Sequence, residues 1–77
     1  MGDMAVTITS YPEEENLVAE LWWKDTNWGE VIFINEPAAF LLTIYPPAPG
    51  QSYRFPLTDA LSALERARSR LTEMGYA

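Results

Sequence analysis

With 77 residues, no histidine and no cysteine, the chain has room for one domain and lacks the side chains most used for acid–base catalysis, thiolate metal sites and disulfide staples. Its 48% hydrophobic content suffices for a core, and its 21% charged residues are too few and too mixed for a disordered tail. The net charge of −6 is uneven: residues 1–50 hold eight acids and one base, residues 51–77 three acids and four bases, a field that repels nucleic-acid phosphates and steers basic proteins inward.

Val6 and Ile8 alternate with Ala5, Thr7 and Thr9, a β-branched period of two that predicts a first strand over residues 4–10. Tyr11-Pro12-Glu13-Glu14-Glu15-Asn16 interrupts it, since proline removes a ladder donor and adjacent like charges need water. A second strand is expected over residues 17–24, with Leu17, Ala19, Leu21 and Trp23 on its drier face and Val18, Glu20, Trp22 and Lys24 on the other. Lys24-Asp25-Thr26-Asn27 reads as a polar hairpin turn into a third strand over residues 28–35.

That third strand is apolar on both sides. Val31 and Phe33 form one set, and Trp28, Ile32 and Ile34 form another that includes Glu30, so a one-residue slip in pairing would exchange inner and outer residues. After Glu36-Pro37-Ala38, a fourth strand is expected over residues 40–45, with Phe40, Leu42 and Ile44 on one side and Leu41, Thr43 and Tyr45 on the other. Pro46-Pro47-Ala48-Pro49-Gly50 ends it, and Tyr53-Arg54-Phe55 is a candidate short fifth strand at an edge.

The C-terminal segment predicts a helix over residues 58–74, with Thr58 as N-cap, Asp59 in the first turn and Gly75 as the left-handed stop. Its apolar stripe reads Ala60, Leu61, Leu64, Ala67, Leu71 and Met74. Burial of Leu61 and Leu64 would make either truncation to alanine cost about 2–5 kcal/mol. The expected fold is α+β, a single domain spanning residues 1–77: an antiparallel meander of four strands, or five with residues 53–55, covered on one face by the helix.

Adjacent strand residues point to opposite faces, so Trp23 inward places Trp22 outward. Val18, Glu20, Leu41 and Tyr45 fall on that outward face, and with Glu13, Glu14 and Glu15 they form the expected partner-binding surface, aromatic at its centre and acidic around it. Glu20 and Glu30 sit on paired strands and are the carboxylates a small hydrolase would use, although so short a chain offers little room for a cleft. The Glu13–Asn16 run lacks the alternating ligands and glycine of a calcium loop, and no cofactor or metal is expected. Arg66, Arg68 and Arg70 spread around a helix instead of tracking phosphates along one face.

The leading expectation is a non-catalytic protein-binding module, an acidic inhibitor, immunity-type or adaptor protein that docks on a basic protein partner. The alternative is a homodimer through the open sheet face, and a carboxylate-dependent hydrolase ranks third. No nucleic-acid or membrane partner is expected. With no basic n-region and no long apolar run, the cytoplasm is the expected location.

Overall fold

A computed structural model describes residues 4–13 and 16–75. Strands β1 (Met4–Thr9), β2 (Val18–Trp23), β3 (Thr26–Asn35) and β4 (Ala38–Ile44) form one antiparallel sheet in the order β1-β2-β3-β4, and helix α1 (Leu57–Glu73) packs against it. This is the α+β meander expected, with four strands. The proposed fifth is loop: Tyr53 and Phe55 instead stack at 5.5 Å, and Phe55 tilts onto Trp23 and Trp28 at 5.5 and 4.9 Å. Aromatic packing thereby closes the end of the core that the proline-rich segment leaves open.

Pairing of β2 with β3 sets Ala19 opposite Val31, Val18 opposite Ile32 and Glu20 opposite Glu30. Ala19, Leu21 and Val31 face the helix and join Met4, Trp28, Ala63, Ala67 and Leu71 in the core. The opposite set, with Glu20, Trp22, Glu30 and Ile32, lies on the reverse face, which resolves the ambiguity of residues 31–34 in favour of Val31 and Phe33 inward.

Two departures from simple alternation occur where β3 begins. The hairpin turn is only Lys24-Asp25, with Lys24 at a left-handed φ of 54°, so Thr26 and Asn27 belong to the strand and not to the turn. The register then shifts: Leu21 pairs with Gly29 and Trp22 with Asn27, leaving Trp28 as the extra residue of a β-bulge. A bulge re-aims the side chain it carries. Trp28, grouped with the outer set by its spacing from Glu30, is instead buried in the core against Phe55.

The helix differs from its predicted wheel in three ways. Pro56 occupies the N-cap position without a side-chain hydrogen bond, so Thr58 is not the cap. Proline lacks the N–H that an N-terminus would leave unpaired. Leu61 is 57% exposed, whereas Ala63, left out of the stripe, is fully buried. Ala63 and Ala67 lie against the sheet beside Leu71, their small side chains letting the helix backbone approach it closely, while Leu61 and Leu57 are exposed on the flank. At the other end Gly75 takes φ 105°, as a helix stop requires.

The helix contacts β1, β2 and β3 but makes no comparable contact with β4. Gly29 sits where β3 and β4 come closest: a Cβ there would lie 2.5 Å from the Thr43 carbonyl oxygen, which is backbone and has little freedom to yield. We expect Gly29→Ala to destabilise the fold by about 1–3 kcal/mol, measured by urea unfolding; an unchanged midpoint would show that β4 does not approach Gly29 so closely. In the helix, Leu71→Ala should cost about 2–5 kcal/mol, while Leu61→Ala in dilute protein should stay within roughly 0.5 kcal/mol. Equal losses at the two positions would mean the helix is rotated from the orientation described.

Candidate functional site

Helix-free, the reverse face of the sheet carries a row of polar groups framed by aromatic rings. The Tyr45 amide donates to the Trp28 carbonyl at 2.9 Å, so alternation directs the main-chain groups of Glu30 toward β4 and makes Glu20 and Glu30 a non-hydrogen-bonded pair. Such pairs bring opposing side chains closest, and like charges placed so are destabilising unless something compensates.

Compensation comes from aromatic donors. The Tyr11 hydroxyl donates to Glu20 Oε2, and the Trp22 indole Nε1 donates to Glu20 Oε1 at 3.2 Å. Across the pair, the Tyr45 hydroxyl donates to Glu30 Oε1 at 2.6 Å. Tyr45 lies one residue past β4 and reaches Glu30 because Glu30 pairs with Thr43, two residues before it on the same face. Tyr11 arrives from the β1–β2 connection, whose other end is tied to β3 by Asn16 Nδ2 donating to the Phe33 carbonyl at 2.8 Å.

These bonds hold both phenols protonated. The hydrogen bond to Glu20, reinforced by desolvation and the carboxylate charges, pushes Tyr11 up to about 12, and the hydrogen bond to Glu30 does the same for Tyr45. Both shifts are upward from an ordinary value of 10.0.

Of the residues expected to form the surface, Glu20, Trp22, Leu41 and Tyr45 share this face. Val18 lies on the same side but is fully buried, so its neighbours on that side cover it and it presents no contact. Glu13 is exposed in the connecting loop, and Glu14 and Glu15 lie outside the described residues. The centre of the face is carboxylate and not the continuous apolar surface that the double-sided pattern of β3 suggested. Tyr11 was missed, and only the Tyr-Pro start of its loop marks it. Glu30 was legible as the cross-strand neighbour of Glu20 but not as part of the docking set.

Among the described residues no three acidic, histidine or cysteine side chains converge to hold a metal ion, and no helix is long and apolar enough to cross a membrane. Comparison of the chain with protein-family models, curated proteins and solved structures finds no match.

Since each phenol is bound as a donor in the folded state, its contribution to stability is complete below pH 10 and is lost as pH rises through 12. Ultraviolet titration should therefore show two tyrosines ionising late, near pH 12, and Tyr11→Phe and Tyr45→Phe should each delete one late phase. Four tyrosines titrating together near the ordinary value would mean that the carboxylate–phenol bonds do not persist in solution.

Proposed function

We propose that this chain is a non-catalytic protein-binding module that docks a basic protein segment on the Glu20–Glu30 face. One observation supports the reading above the others: two carboxylates stand opposite each other at the middle of the helix-free sheet face, each oriented by aromatic donors. A carboxylate has about four acceptor positions, more than these donors fill. An arginine or lysine side chain seated between Glu20 and Glu30 relieves their mutual repulsion and takes charge-assisted hydrogen bonds, and Trp22, Tyr11 and Tyr45 supply ring surfaces beside it.

The surrounding charge works in the same direction. With eight acids against one base in residues 1–50, the sheet half attracts a cationic partner over a range set by the Debye length, about 8 Å at physiological salt. Such a surface suits an inhibitor, immunity-type or adaptor role, in which the chain occupies a basic site on its partner without chemistry.

Fluorescence titration of the three-tryptophan chain with an arginine-rich peptide tests the reading. Binding should weaken as salt rises, and Glu20→Gln with Glu30→Gln should reduce affinity by at least about tenfold, the effect of losing roughly 1.4 kcal/mol. Equal affinity of the double variant and the unmutated chain would remove Glu20 and Glu30 from the docking surface.

A further inference from the structure

The two edges of the sheet are protected differently. At the β1 edge, alternation turns the main-chain groups of Met4, Val6 and Ile8 outward, and α1 packs against this strand, with Arg66 Nη2 reaching the Met4 carbonyl at 3.5 Å. At the β4 edge, the same alternation turns out the main-chain groups of Ala38, Phe40, Leu42 and Ile44. The strand Ala-Ala-Phe-Leu-Leu-Thr-Ile has no charge, no proline and no bulge in its pairing with β3, so it carries none of the usual devices that stop edge pairing.

The side chains beside that edge are also open. Because Arg66 puts one flank of α1 over β1, the opposite flank, with Leu57, Leu61 and Leu64, is turned toward β4. Leu57 and Leu61 are 71% and 57% exposed, and on the strand below them Leu42 and Ile44 are 47% and 58% exposed. Taking roughly 120 Å² of apolar surface for a fully open leucine or isoleucine, these four present about 280 Å² per protomer, about a third of the ~800 Å² that each partner gives to a standard interface. The pairing edge itself and half-buried Phe40 add to that area.

We infer that β4 pairs antiparallel with β4 of a second copy of this chain, extending the sheet across a two-fold axis and burying the Leu42–Ile44–Leu57–Leu61 ledge of each protomer against the other. A second copy is the occupant favoured by charge. In a chain of net charge −6, copies repel over most of their surface, and they meet at least cost where charge is absent. β4 has none, and the charged pair on the neighbouring helix flank, Arg68 with Glu65, is already neutral within itself. A basic partner, by contrast, is drawn to the carboxylate face and gains nothing electrostatic at β4. Antiparallel edge pairing is also self-complementary, as a closed dimer requires.

Sedimentation equilibrium of the full chain, unmutated and as Leu42→Lys with Ile44→Lys, decides it. Both positions are exposed in the single protomer, so the variant should keep its circular dichroism while its self-association weakens by at least about tenfold, like charges now meeting across the axis. Hydrogen exchange adds a readout independent of the variant: the amides of Phe40, Leu42 and Ile44 should become protected as protein concentration rises. Glu20→Gln with Glu30→Gln should leave the dimer intact, which separates this interface from the docking face. A monomer at all concentrations, a dimer indifferent to the lysine substitutions, or edge amides whose exchange does not depend on concentration would each overturn the inference.

Discussion

The pairing register between β2 and β3 sets the character of both sides of the molecule. Opposing Ala19 to Val31 gives the helix an apolar floor, and the same alignment unavoidably opposes Glu20 to Glu30 on the other side. A shift of one residue would turn one of the two carboxylates into the core, either Glu20, with Ala19 and Leu21 sent out to water, or Glu30, with Val31 sent out. Burying even one unpaired carboxylate costs several kcal/mol, comparable to the whole stability of a domain this small. The register that builds the core is therefore also the one that places two negative charges together on an open face.

Small residues decide where the helix sits on that floor. Ala63 and Ala67, both fully buried, let α1 lie close over β1 to β3, and the position leaves β4 without a cover. At the other end of the core the bulge in β3 turns Trp28 inward, where Phe55 meets it from the proline-rich loop. The indole Nε1 of Trp28 is buried without a hydrogen-bond partner among the described residues, a cost offset by its ring contact and burial. Two surfaces of opposite kind result: an acidic aromatic face behind the sheet and a neutral apolar ledge along its edge.

Much of this was legible in the residues themselves. The first four strands and their order, the inward Trp23 and outward Trp22, the two sides of residues 40–45 and the glycine stop of the helix follow from period-two alternation and local turn chemistry, whereas the candidate fifth strand at residues 53–55 is loop. What eluded the sequence depended on contacts between distant segments. Trp28 was misassigned because alternation assumes an unbroken ladder, and nothing in Thr26-Asn27-Trp28-Gly29 marks which residue is left unpaired. Leu61 was misplaced because a hydrophobic wheel favours leucine over alanine, whereas close helix–sheet contact selects Ala63. Tyr11 joined the carboxylate row only through the path of its loop, and the openness of β4 depended on the helix offset.

The face-to-face placement of Glu20 and Glu30 is most directly read by proton NMR. In a non-hydrogen-bonded antiparallel pair the Cα atoms are about 4.5 Å apart, close enough for a strong Hα–Hα Overhauser effect. Strong cross-peaks should link Glu20 to Glu30 and Val18 to Ile32. Cross-peaks linking Glu20 to Gly29 or to Val31 instead would reveal a slipped ladder, and with it a different core and no paired carboxylates on the reverse face.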